Sequence, residues 1–140
     1  MYTFTMRKNN TSYKNIFIAF GVIVVAAIGY SIYDKQQPGQ LDTFAQCVTD
    51  SGAKFYGAFW CPHCQAQKAL FGKSKDLLPY IECSTPDGNG QNAVCKDKAI
   101  TSYPTWSFAS TTSTTTDMLT GEQTLSTIAE KTGCTLPEGN

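Results

Sequence analysis

The chain has 140 residues, 41% of them hydrophobic and six of them cysteine, and its eleven basic and eleven acidic side chains cancel to a formal net charge of zero. A length of this order admits one domain and an appendage. From residue 34 onward there are eight basic and eleven acidic side chains, and there is no Gly-rich phosphate loop, so nucleic acid is excluded as a partner.

The basic residues missing from that part sit at the start. Residues 1–15 carry Arg7, Lys8 and Lys14 and no acid. Residues 16–33, "IFIAFGVIVVAAIGYSIY", are uncharged and apolar nearly throughout. As a helix, such a run spans roughly 27 Å at about 1.5 Å per residue, close to the hydrocarbon thickness of a bilayer. Tyr30 and Tyr33 fall where an interfacial aromatic belt lies. The positive-inside rule leaves 1–15 in the cytoplasm and sends the C-terminal part across the membrane. "AIG" at 27–29 has the small-x-small spacing of a signal-peptide cleavage site, but the apolar run is longer than the usual stretch of about 7–15 residues, so a retained single-pass anchor is favoured over a cleaved signal. Either way, residues from 41 onward are expected on the periplasmic or equivalent extracytoplasmic side, where cysteines tend to be oxidised.

"DKQQPGQ" at 34–40 reads as a polar tether. In "LDTFAQCVTDSG", Leu41, Phe44, Ala45 and Val48 recur at helical spacing and Gly52 supplies a stop. "AKFYGAFW" (53–60) is an aromatic-rich strand running into Cys61. "PHCQAQKALFG" opens with a proline suited to a first helical turn and closes at Gly72. "YIEC" (80–83) is a short strand, "STPDGNGQN" (84–92) a surface loop, "AVCKDKAI" a short helix broken by "TSYP", and "TWSFA" (105–109) a further strand. "STTSTTT" (110–116) is the expected tip of a hairpin whose returning strand is "DMLTG". In "TLSTIAEKTGC", Thr124 can cap a last helix and Gly133 can end it. Alternating helices and strands with a closing hairpin predict an α/β fold, a mixed sheet with helices on both faces.

The chemistry concentrates in "FWCPHC", residues 59–64. Haem attachment needs a histidine directly after the second cysteine, and residue 65 is Gln. A zinc site lacks a second C-x-x-C, and a bridge across two intervening residues restrains little of the unfolded chain. A redox pair has a mechanism. A strand that delivers Cys61 to the first turn of a helix sets its sulfur near free amides and the positive end of the helix dipole, which favours the thiolate. Cys64, one turn later, faces inward as the resolving partner. Pro62 suits the first turn, and His63, the one histidine of the chain, can donate toward Cys61 or add positive charge beside it. Stabilising the Cys61 thiolate makes the disulfide form the stronger oxidant.

Strand-W-C-x-x-C-helix, followed by "SYPT" before a strand, resembles a thioredoxin-fold domain. "GAFWCPHC", "ECSTPDG" and "ITSYPTW" resemble in particular the thioredoxin-like domain fused to vitamin K epoxide reductase homologues of bacteria and plants. The similarity covers 41–134, leaving 135–140 as a tail. It implies Cys61 as nucleophile and Cys64 as its partner, with Pro62 and His63 tuning the thiolate. It also implies Tyr103, a cis Pro104 and Trp60 as substrate-binding residues, with no cofactor and no metal. The implied activity is thiol–disulfide exchange with cysteine-containing exported proteins, as oxidant partner of a quinone-linked membrane disulfide reductase. Disulfide reduction or isomerisation, or copper or other metal binding through Cys61, Cys64 and His63, are the alternatives. One departure is that the buried acid the family places six residues before the first cysteine is here Phe55, which leaves water or Glu82 to serve Cys64. The remaining four cysteines allow three pairings. The expected one joins Cys83 to Cys95 across the turn-rich loop, worth about 3 kcal/mol in the chain-entropy model, and Cys47 to Cys134 between the first and last helices of the domain. A second redox relay through Cys83 and Cys95 is its functional alternative.

Overall fold

The structure, a computed structural model, describes residues 10–109 and 117–138. It divides into two compact units, residues 1–37 and 38–140. The described residues of the first form one helix, α1 (Asn10–Gln36). Its stretch Tyr13–Asp34, 22 residues, is long and apolar enough to cross a membrane, and its residues are exposed. A helix that is apolar all round has no polar face to offer water, which fits a membrane span better than a surface helix. The helix runs past both ends of the apolar stretch because nothing in the flanking polar residues breaks it before Pro38. Residues 1–9, most of the basic N-terminal segment, and 110–116, the expected hairpin tip, lie outside the described residues.

The second unit is built on a four-stranded sheet. In chain order its elements are α2 (Asp42–Asp50), β1 (Lys54–Gly57), α3 (Pro62–Ala69), a 3₁₀ segment (Gly72–Leu77), β2 (Tyr80–Glu82), α4 (Ala93–Lys96), β3 (Thr105–Phe108), β4 (Asp117–Thr120) and α5 (Leu125–Thr132). The strand order is β2-β1-β3-β4, with β1 parallel to β2 and the other pairings antiparallel. This is a mixed sheet of thioredoxin type.

Alternation along the strands assigns two faces. Phe55 lies opposite Trp106, which lies opposite Leu119. These three face the larger core with Phe108, Phe44 and Val48 of α2, Ile128 of α5, and Phe71 and Leu78 around the 3₁₀ segment. Phe55 and Trp106 stack with centroids 4.8 Å apart, and Trp106 stacks on Phe108 at 5.9 Å. Full burial of each such side chain contributes about 1.5–3 kcal/mol. Tyr56 points the other way, into a smaller cluster with Cys83, Cys95 of α4 and Ile100, flanked by Ile81 and Tyr103. Helices thus flank both faces.

Three expected elements differ in extent. The strand expected over 53–60 leaves the sheet after Gly57, because Cys61 N–H closes a turn on the Ala58 carbonyl at 3.0 Å. The positive φ of Gly72 (+54°) ends the α3 region, and the chain continues as the 3₁₀ segment, which the sequence reading lacks. The short helix expected over "AVCKDKAI" stops at Lys96, where Ala99 takes a left-handed conformation (φ +52°) and Ile100 N–H returns to the Cys95 carbonyl at 3.0 Å. That closure buries Ile100. At the far end Thr124 caps α5, its side chain accepting from Thr127 N–H at 3.1 Å, and Gly133 (φ +72°) terminates it.

Two disulfides cross the unit. Cys47 of α2 joins Cys134 beyond α5 (Cα–Cα 5.9 Å), and Cys83 after β2 joins Cys95 of α4 (Cα–Cα 5.5 Å).

Candidate active site

Strand β1 ends at Gly57, and the turn Ala58–Trp60 carries the chain into α3. Cys61 is the N-cap, with the extended φ −78°, ψ 118° that such positions adopt. Its carbonyl accepts from Gln65 N–H at 3.2 Å, while Pro62 occupies the first helical position, where an amide hydrogen has no partner in any case. The Cys61 sulfur therefore sits at the positive end of α3, and Sγ lies 3.7 Å from the Tyr103 carbonyl oxygen, to which its thiol donates. Cys61 is only 5% exposed, and Cys64 is fully buried. Both are free thiols.

Around the sulfur stand residues from three segments. The Tyr103–Pro104 peptide is cis, and Pro104 is buried. Trp60, 53% exposed, meets the Tyr103 ring edge-on at 6.2 Å and donates through Nε1 to Ser84 Oγ at 2.9 Å. The Tyr103 hydroxyl accepts from Gln91 Nε2 at 2.7 Å. Strand end, loop 84–92 and the 103–104 segment thus share one rim, with exposed Phe59 beside it.

His63 turns elsewhere. Its Nδ1 lies 2.6 Å from Glu122 Oε1, after β4, with both side chains largely exposed. Among the described residues the imidazole pairs with this carboxylate rather than with the Cys61 sulfur. Nothing in the local pattern around His63 points to Glu122, which is 59 positions away.

Cys64 is held differently. Burial pushes its thiol up from an ordinary 9.0 to about 12, against the opposing hydrogen bond from the Ala58 backbone; contact with Cys61 raises it further and the Lys68 charge lowers it. Its sulfur occupies the space beside Gly57 that a side chain would take. A Cβ there would lie 2.9 Å from Cys64 Sγ and 2.8 Å from Tyr80 Cε2. Glycine at this position is what lets the sulfur and the tyrosine ring approach the strand. Phe55, at the position where the resembling family carries a buried acid, is fully buried, stacked on Trp106 and edge-on to Tyr80 at 5.2 Å.

The polar groups on the Cys64 side come from Glu82, Tyr80 and Lys68, and only Glu82 was singled out in the sequence. Tyr80 OH donates to Glu82 Oε2 at 2.8 Å, and Glu82 Oε1 accepts from the amides of Ser84 (2.8 Å) and Phe59 (3.2 Å). Lys68 Nζ lies over the Tyr80 ring, 3.2 Å from its centroid. Burial lowers the Lys68 ammonium below its ordinary range, opposed by the charge of Glu82. Burial and the bond to Glu82 raise the Tyr80 phenol.

Two neighbouring sulfurs in unequal surroundings, one at a helix terminus and one sealed behind it, form a dithiol that can close to a disulfide and open again. Similarity to known proteins points the same way. The chain is 40% identical over 101 residues to the thiol-disulfide oxidoreductase LTO1 of Arabidopsis thaliana, a match covering 69% of this chain and 25% of that protein. The chain therefore spans about a quarter of the length of that curated relative. The thioredoxin family model matches residues 40–132, which takes in the whole sheet, the C-x-x-C turn and the Tyr103–Pro104 segment; the chain belongs to the thioredoxin family.

Proposed function

We propose that this protein is a membrane-anchored protein thiol–disulfide oxidoreductase that donates disulfides to exported proteins. The observation that carries the reading is the inequality of the two sulfurs: Cys61 at the N-terminus of α3 and Cys64 buried with its thiol held neutral. In the oxidised form a substrate thiolate attacks Cys61 Sγ, the Cys61–Cys64 bond breaks, and Cys64 departs with the electron pair. The resulting mixed disulfide is attacked at the substrate sulfur by a second substrate thiolate. The substrate leaves oxidised, and Cys61 departs with the electron pair at the N-terminus of α3. Two electrons pass from the substrate to the pair; the substrate thiols lose their protons to water, and Cys64 takes one up as it departs.

Trp60, Tyr103 and Pro104 form the docking rim for an extended substrate segment, and Pro62 and His63 tune the thiolate, His63 being held by Glu122. Cys83–Cys95 and Cys47–Cys134 are structural bridges. Helix α1 anchors the domain on the extracytoplasmic side, supported by the basic residues preceding it and by two disulfides that suit an oxidising compartment. A quinone-linked membrane reductase of the vitamin K epoxide reductase type reoxidises the pair, a partnership supported by the resemblance of "GAFWCPHC" and "ITSYPTW" to domains fused to such reductases.

The test is the reduction potential of the Cys61–Cys64 couple in the full chain, read by equilibration with glutathione buffers and thiol trapping. A disulfide donor lies nearer about −120 mV, and a reductant nearer about −270 mV. A value at the reducing end would reverse the direction, and a pair that does not cycle at all would end the proposal.

A further inference from the structure

The exchange reaction proposed above asks Cys64 to leave as an anion from a site that disfavours one. A thiol of high pKa is a poor leaving group in disulfide exchange, and Cys64 has no exposed surface from which water could reach it. A proton must come from the protein side.

Lys68 is placed to supply it. It lies four residues after Cys64 on α3, so both side chains project from one face of the helix. Both also lie near the same aromatic ring. The edge of Tyr80 crowds the point beside Gly57 that Cys64 Sγ shares, and the face of Tyr80 carries Lys68 Nζ at 3.2 Å from its centroid. Lys68 also lines a recess of about 420 Å³ with Gln65, Lys75, Asp76, Leu78 and Tyr80, and its charge acts on the Cys64 thiol. The charged and titratable groups acting on it are Glu82 across the sheet end, Cys64 on its own helix, and Lys75 and Asp76 of the 3₁₀ segment. Tyr80 is tied up by Glu82, its hydroxyl proton committed to Oε2 at 2.8 Å, which leaves the lysine as the mobile proton source.

Resting on the oxidoreductase reading, we infer that Lys68 is the proton-transfer residue for Cys64, protonating its sulfur as the disulfide opens and taking the proton back as it closes. On opening, the electron pair of the broken S–S bond goes to Cys64 Sγ, one N–H bond of the Lys68 ammonium breaks, and an S–H bond forms. Neutral Lys68 recovers its proton from water in the recess. Closing reverses each step. A lysine whose ammonium is already weakened by burial gives up its proton more readily than an exposed one.

The experiment is stopped-flow reduction of the oxidised full chain in detergent micelles by dithiothreitol, followed by tryptophan fluorescence, with rates divided by the concentration of attacking thiolate. Wild type is expected to show a rate per thiolate that is flat at neutral pH and falls as pH rises through the titration of Lys68, below the ordinary lysine range. Lys68→Met is expected to be about a hundredfold slower at pH 7, in the range that a positioned acid supplies, and to lose that fall. Lys68→Arg keeps the positive charge but has no proton to give in this range, so it is expected to resemble Lys68→Met. An arginine variant as fast as wild type would reduce the role to electrostatics and overturn the inference. So would a wild-type profile without the high-pH fall, a measurement that needs no variant to fold. A wild-type chain whose disulfide does not exchange with thiols would instead defeat the oxidoreductase reading itself.

Discussion

Reduction of the Cys61–Cys64 pair should introduce a pH dependence of stability that the oxidised chain lacks. The Cys64 thiol is fully buried and held at about 12 instead of 9.0, mainly by desolvation. Its folded value lies above its unfolded one, so the stabilisation is fully present below pH 9, declines as pH rises, and is gone once pH passes about 12. At about 1.4 kcal/mol per tenfold, the whole effect is about 4 kcal/mol, of which about 1 kcal/mol is lost by pH 10. Urea unfolding of the full chain in micelles at pH 8 and pH 10 reads this directly. Both tryptophans, Trp60 and Trp106, lie in the second unit and report on it alone. A poised dithiol buffer opens the active-site pair, and mass spectrometry after alkylation checks that the other two bridges stay closed. Tyr80, raised, and Lys68, lowered, also differ between the folded and unfolded chain, so the reference is Cys64→Ser, which keeps both. Reduced wild type is expected to lose about 1 kcal/mol more than Cys64→Ser between the two pH values. Parallel losses in the two proteins would show that Cys64 does not keep its proton in the folded state, and the account of its environment would fail.

Two further outcomes follow from the geometry. Gly57→Ala would place a Cβ 2.8 Å from Tyr80 Cε2 and 2.9 Å from Cys64 Sγ, and the overpacking is expected to cost about 1–3 kcal/mol in urea unfolding. Cys47→Ala/Cys134→Ala opens a bridge spanning 87 positions and is expected to lower stability by about 4–5 kcal/mol in the chain-entropy model, measured by the same unfolding assay.

Much of the fold follows from short-range pattern. The helix over Asp42–Asp50 follows from the spacing of Phe44, Ala45 and Val48, and α5 from a threonine cap and a terminal glycine. Cys61 is legible for the same reason: a strand, a cysteine and a proline in succession specify a helix N-terminus with a sulfur on it. What escaped is what the sheet assembles. Glu122 reaches His63 only because β4 returns beside β3 and sets the following turn near the start of α3. The 3₁₀ segment has no periodic signature of its own, since its conformation follows from the left-handed Gly72 and from closing onto Phe71 and Lys75. Lys68 and Tyr80 look like an ordinary surface lysine and a strand aromatic until the parallel pairing of β1 with β2 brings Tyr80 up to Gly57.

This division separates the two halves of the redox pair physically. Cys61 is placed by the first turn of one helix, so changes at Pro62 or His63 are expected to act through local geometry and charge on the sulfur that the substrate attacks. The properties of Cys64 come from Gly57 on β1, Tyr80 and Glu82 on β2, and Lys68 one turn further along α3. A substitution at Gly57, Tyr80 or Lys68 acts on the buried sulfur side, whereas one at Glu82 also frees the Phe59 amide in the turn leading to Cys61. The potential of the couple depends on both sulfurs, but the rate of opening depends most on how well the departing one is received. The C-P-H-C quartet alone therefore does not determine how fast this site exchanges, because half of the chemistry is written in the sheet.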